Sequence, residues 1–255
     1  MNATSSWPAP LEIVNEGGTS DIVLVCEHAS NYIPPEYAGL GLPESELSRH
    51  IAWDIGAATL ARKLSTLLDA PAFLATYSRL LIDLNRPLHA ASSIPERSEA
   101  TDIIGNLQLP ALERQRRAER IFTPFHSRVT QHLDERQAQG RQTVLITVHS
   151  FTPVYLGDAR QWRAGILFDH AQTLGETLVE RLRAQGEPTV AANEPYTISP
   201  DTDYAMPIHG KARGIDAALL EIRQDGLLTE AGVEDWARKL ARALTDLTFL
   251  RTRAR

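Results

Sequence analysis

Short apolar runs alternate along the chain with longer stretches whose apolar residues recur every three or four positions. Asp21–Cys26 (DIVLVC) is a continuous Val- and Ile-rich run and predicts a strand buried on both faces. Gly56 to Leu68 (GAATLARKLSTLL) has helical spacing, and Pro71–Thr76 and Leu80–Leu84 read as two further strands separated by Tyr77-Ser78-Arg79. A long helix is expected from Leu109 to Gln137, broken near Pro124. Thr143–Val148 (TVLITV) is the clearest strand, rich in β-branched residues and free of breakers. Ala164–Phe168, a helix over Gln172–Ala184, Thr189–Ala192, the apolar run Ala217–Ile222 and an amphipathic helix over Thr229–Leu247 continue the alternation. Met1–Ser20 shows no such period and reads as an irregular lead-in. No repeat, low-complexity segment or Ser/Gly linker divides the chain, so one domain over residues 1–255 is expected. The pattern predicts an α/β fold, with a mixed, mainly parallel sheet covered by helices on both faces. Its chemistry is expected at the carboxyl ends of the strands.

Composition narrows the chemistry. The 255 residues carry 26 basic and 32 acidic groups, a net charge of −6, which disfavours a nucleic-acid binder. Arg114, Arg116, Arg117 and Arg120 interleave with Glu113 and Glu119 and read as a solvated helix face. A single cysteine, Cys26, excludes a disulfide framework and a Cys-based zinc knuckle, so any metal must sit on histidines and carboxylates. Cys26 itself lies inside an apolar strand and reads as an inert core thiol. No apolar run approaches the roughly 20 residues of a membrane span. The first residues lack the charged start and apolar centre of a secretory signal, so a cytoplasmic setting is expected. Neither a Gly-x-Ser-x-Gly elbow nor a Walker or Gly-x-Gly-x-x-Gly phosphate loop occurs.

Polar residues crowd the ends of the predicted strands. DIVLVC runs into Glu27-His28, LLIDL carries Asp83 and ends in Asn85-Arg86-Pro87, TVLITV ends in His149-Ser150, and AALLEI contains Glu221. Ionisable groups at such positions are costly unless paired, coordinated or wet, and four coincidences favour a shared site. His28 and His149 are candidate zinc ligands, because an open zinc site commonly takes two histidines and a carboxylate. Strand alternation turns Glu27 away from His28, whereas Asp54 is either a helix N-cap or the third ligand. Asn85-Arg86 either starts a turn or clamps a substrate carboxylate. Arg79 either pairs with Asp83 or stabilises a developing oxyanion. Glu221 either pairs with Arg223 or serves as general base.

The segments VLVCEHASNYIPPEY, HIAWDIGAA, SRLLIDLNRP, ITVHSFTPVY and LLEIRQD resemble the N-formylglutamate amidohydrolase family over roughly residues 20–245. That family is distantly similar to zinc carboxypeptidases and aspartoacylase. The resemblance implies a three-layer α/β/α domain, phosphorylase/hydrolase-like, with one zinc ion. His28, Asp54 and His149 would be its ligands, Arg79 would polarise the scissile carbonyl, Asn85 and Arg86 would hold a substrate carboxylate, and Glu221 would be the base. Two departures stand out. Asn31 occupies the place of the carboxypeptidases' acidic ligand, and Glu27 precedes His28 where close relatives often have Pro; both favour Asp54 over Glu27 as ligand. The implied activity is hydrolysis of the amide of an N-formyl or N-acyl amino acid, a small molecule bearing a carboxylate. A further acidic group on the substrate would need another cation, and Arg160, Arg213 and His209 are candidates. The alternatives are a hydrolase of another N-acyl amino acid or short peptide, or a metal-free binding protein retaining the fold.

Overall fold

A computed structural model describes residues 7–245. Seven strands build its main sheet: β1 (Leu11–Val14), β2 (Ile22–Cys26), β3 (Ala72–Ala75), β4 (Val144–Phe151), β5 (Ala164–Leu167), β6 (Val190–Ala192) and β7 (Asp216–Arg223). Their spatial order is β1-β3-β2-β4-β7-β5-β6. β3, β2, β4 and β7 run parallel, as do β5 and β6, whereas β1 on β3 and β5 on β7 are antiparallel. The sheet is therefore mixed and mainly parallel, as the alternation predicts.

Helices cover both faces, giving three layers. Alternate residues such as Leu24, Ile146 and Leu220 pack on one side against α1 (Ala57–Leu68), α4 (Gln172–Ala184) and α5 (Glu230–Leu244). The intervening Val25, Leu145 and Leu219 pack on the other side with Phe125, Val129 and Leu133 of α3 (Thr123–Ala138), which α2 (Ala111–Arg117) precedes in the same helical run. All five side chains of β2 are buried, because a strand covered on both faces has no solvent side. The Thr229 side chain caps α5 by accepting from the Gly232 N–H at 3.1 Å. The last residues expected in that helix, 246–247, lie outside the described residues.

Four expectations are corrected. The lead-in is not wholly irregular: Leu11–Val14 forms the edge strand β1 beside β3. Leu80–Leu84 is buried but turns rather than extends, with Leu81 N bonded to Ser78 O and Asp83 N to Ser93 O. The open edge of β3 is already filled by β1, and an apolar run alone does not distinguish a strand from a buried loop. The long helix does not break at Pro124. A π turn over Ala118–Phe122 joins α2 to α3 and opens the hydrogen-bond ladder just where the proline lacks its donor. Arg117 is not on a solvated face. Only 1% exposed, it donates to Leu81 O at 3.0 Å and Asn106 Oδ1 at 2.7 Å, and so props up the loop that carries Arg79, Asp83 and Asn85.

Candidate active site

The parallel strands β2, β4 and β7 bring their carboxyl ends to one edge, and the polar residues gather there. Glu221 stands beside His149 across the β4–β7 ladder and beside Gly165 across the β5–β7 ladder. A side chain at Gly165 would collide with Glu194 O, so this glycine lets the segment carrying Tyr196 fold over the site. Asp54 joins from the segment before α1, its N–H bonded to His28 O at 2.9 Å. It is not the helix cap. That place belongs to Gly56, at φ +84°, where a Cβ would meet the side chain of Leu227.

Freed from capping, the Asp54 carboxylate turns to the imidazoles. Its Oδ2 lies 2.9 Å from His149 Nδ1 and 3.4 Å from His28 Nδ1. Ligand atoms of His28, Asp54 and His149 lie within 4.8 Å of one another, and all three residues are buried. Behind each ring stands a second carboxylate. His28 Nε2–H donates to Asp83 Oδ1 at 2.7 Å, and His149 Nε2 contacts Glu27 Oε2 at 3.0 Å. Arg79 completes the cluster, donating through Nε and a terminal nitrogen to Asp83 at 3.1 and 2.8 Å, and through the other terminal nitrogen to Asp54 at 3.3 Å.

The electrostatics follow from this crowding. Burial opposes the charged form of Asp54, but the two histidines outweigh it and hold the carboxyl well below the usual range. Burial likewise opposes charge on His149, and Glu27 and Asp54 together raise its pKa well above the ordinary value. Three acidic groups, Asp54, Asp83 and Glu27, thus contact two imidazoles and a single guanidinium. A donor set of two imidazole nitrogens and one carboxylate oxygen, each ring with a carboxylate at its outer nitrogen, fits a tetrahedral divalent ion with one open position.

All seven residues expected at the site line one cavity of about 770 Å³: His28, Asp54, Arg79, Asn85, Arg86, His149 and Glu221. Burial pushes Glu221 up to about 7, with the nearby histidines opposing and Asp54 reinforcing the shift, and its Oε2 has no hydrogen-bond partner among the described residues. Arg86 spends one terminal nitrogen on Asn85 O and Thr202 O, with the Asp203 carboxylate 3.6 Å from that nitrogen, leaving Nε and the other nitrogen without a partner among the described residues. Asn85 is largely engaged: its oxygen accepts from the Tyr204 and Ala205 N–H groups and its nitrogen donates to Asp203 at 3.3 Å. One amide hydrogen of Asn85 remains.

The candidate distal cations divide. Arg213 pairs with Asp134 at 2.5 Å, outside the cavity lining. His209 is buried and bonded to His126, and burial lowers it to about 4, so it is neutral near pH 7. Arg160 stacks near Tyr155 and Tyr196 and donates to the Tyr196 hydroxyl at 2.7 Å. The sequence reading gave no role to Tyr196, to the His126–His209 pair, or to Glu27 behind His149. Strand alternation misled for Glu27, because β2 ends at Cys26 and the turn that follows brings both Glu27 and His28 to the centre.

Fold and site together define a three-layer α/β/α protein whose polar centre sits at the carboxyl edge of its sheet. The family model for N-formylglutamate amidohydrolase matches residues 20–228, and the chain belongs to that family. It is similar to a gene product of Agrobacterium tumefaciens, with 38% identity, 92% of each chain covered and a TM-score of 0.89. An N-formylglutamate amidohydrolase from Ralstonia eutropha JMP134 shares the fold at 18% identity, with 92% of this chain and 95% of that one covered and a TM-score of 0.63. A metallo-carboxypeptidase from Burkholderia cenocepacia aligns more loosely, at 13% identity and a TM-score of 0.37 over 95% of this chain and 61% of that one. No curated protein matches the sequence significantly. Among the described residues, no helix is long and apolar enough to cross a membrane.

Proposed function

We propose that the protein is a zinc-dependent amidohydrolase that cleaves the amide of an N-formyl, or closely related N-acyl, amino acid with a free carboxylate. The observation that carries this reading is the convergence of His28, Asp54 and His149 within 4.8 Å, in a cavity that also holds Glu221, Arg79 and Arg86. Family membership supports the same reaction class.

His28 Nδ1, an Asp54 oxygen and His149 Nδ1 would hold the ion. Bound there, zinc supplies a Lewis acid that polarises a carbonyl and acidifies water. The remaining steps belong to the chain. Arg86 presents its free Nε edge to the substrate carboxylate as a two-pronged donor, with the spare Asn85 amide hydrogen beside it. That anchor fixes the acyl carbon relative to the attacking water. Arg79 uses three of its five N–H groups on Asp83 and Asp54, and its two others stabilise the oxyanion that develops as the C–O bond forms. Glu221 takes the proton released by the attacking water and delivers it to the leaving nitrogen as the C–N bond breaks. In the metal-free site burial raises its pKa to about 7.

Metal analysis of the purified protein, with kcat/KM for N-formyl, N-acetyl and dipeptide substrates, tests the proposal. Stoichiometric zinc and the highest kcat/KM on an N-formyl amino acid, with stoichiometric formate release, are expected. Turnover that survives both chelation and Glu221→Gln defeats it.

A further inference from the structure

We infer that Glu27, which neither family membership nor the cavity lining singles out, is a positioning residue for the metal centre. It holds His149 in the tautomer that leaves Nδ1 open and adds negative charge behind that ligand. The inference rests on the zinc reading above and deepens it.

A neutral imidazole carries one proton for two nitrogens. If that proton sits on the nitrogen facing the ion, the ligand is lost, so a partner at the other nitrogen decides the outcome. For His149 the inner nitrogen is Nδ1, beside Asp54, and the outer one is Nε2, 3.0 Å from Glu27 Oε2. The sheet builds this contact. The β2–β4 ladder pairs Val25 with Thr147, and just beyond it the turn after β2 sets Glu27 against His149 of β4.

Glu27 is only 1% exposed, and among the described residues its carboxylate has no partner other than the His149 ring nitrogen at 3.0 Å. A carboxylate buried with a single such contact is costly and needs a reason for its place. Among the described residues the outer nitrogen of His149 likewise has no partner besides Glu27, so each group depends on the other. Asp83, behind His28, is different: Arg79 and the Asn85 N–H also bind it, so it serves the loop as well as the ring. In the described residues Glu27 has no such second employment.

The test is the zinc dissociation constant of the full chain, measured by competition with a chromophoric chelator for wild type, Glu27→Gln and Glu27→Leu. Metal-free melting curves establish that each variant is folded. Outer carboxylates of this kind are worth about 10–100-fold in metal affinity. Glu27→Gln, which keeps an acceptor but loses the charge, is expected near the lower end, and Glu27→Leu near the upper. That graded order separates positioning from a structural role, which would lower the melting temperature and leave the zinc constants of the folded protein unchanged. Variants that bind zinc like wild type overturn the inference while sparing the metal reading. If Glu27→Leu does not fold, Glu27→Gln decides alone. A wild-type chain that binds no zinc overturns the metal reading, and this inference with it.

Discussion

His28 and His149 offer the same atom, Nδ1, to the same carboxylate, yet the structures behind them differ. Asp83, behind His28, is a hub: it binds the ring, takes two hydrogen bonds from Arg79 and one from the Asn85 backbone, and sits in a loop held up by Arg117. Glu27, behind His149, contacts the ring and has no other partner among the described residues. One half of the site is therefore wired into the loop that carries Arg79 and Arg86. The other half is carried by strands β2 and β4 and by packing. Losing Asp83 should injure folding, the metal site and Arg79 together, whereas losing Glu27 should be felt at the metal alone.

Removing either histidine is the severest way to break this comparison. His28→Ala and His149→Ala should both lose stoichiometric zinc in metal analysis; if either keeps it, the two rings do not share an ion. Glu221→Gln comes next, with kcat expected to fall by about 10²–10⁴-fold. Its zinc content should not change, which separates the base from the ligands. Asp83→Asn should weaken zinc by about 10–100-fold. It should also cost about 3 kcal/mol of folding stability by leaving the Arg79 guanidinium short of its partner, readable in metal-free denaturant titrations. Arg86→Ala should lower kcat/KM by about 10-fold or more through loss of a charge-assisted hydrogen bond to the substrate carboxylate, without altering metal content.

The smallest effect is a pH dependence. Burial raises Glu221 from the ordinary 4.5 to about 7, so the folded state favours its acid form. That contribution to stability is complete below about pH 4.5 and is lost as pH climbs to about 7. Melting temperatures of the metal-free wild type should therefore decline relative to Glu221→Gln across that window. Parallel curves would show that Glu221 titrates normally.

Much of the site was legible because strands in an open α/β sheet expose their carboxyl ends. Four apolar runs ending in His, Asn-Arg, His and Glu already implied a meeting place; the register of β7 on β4 then set Glu221 beside His149. The pattern misled where two physical environments look alike in one dimension. Leu80–Leu84 is as apolar as a strand because it is buried, but β1 holds the edge it would need. Pro124 ordinarily ends a helix, but a π turn just before it absorbs the missing donor.

The side-chain periods and the residue types at strand ends determined the layered fold, the edge where chemistry gathers and the identity of the groups available there. Those properties are local, since a side chain's face follows from its place in the period. The orientation of Asp54 toward two imidazoles rather than a helix end, and the division of labour between Asp83 and Glu27, were decided by tertiary structure. They depend on distances between segments 26 to 122 positions apart, which only the closed sheet and its covering loops fix.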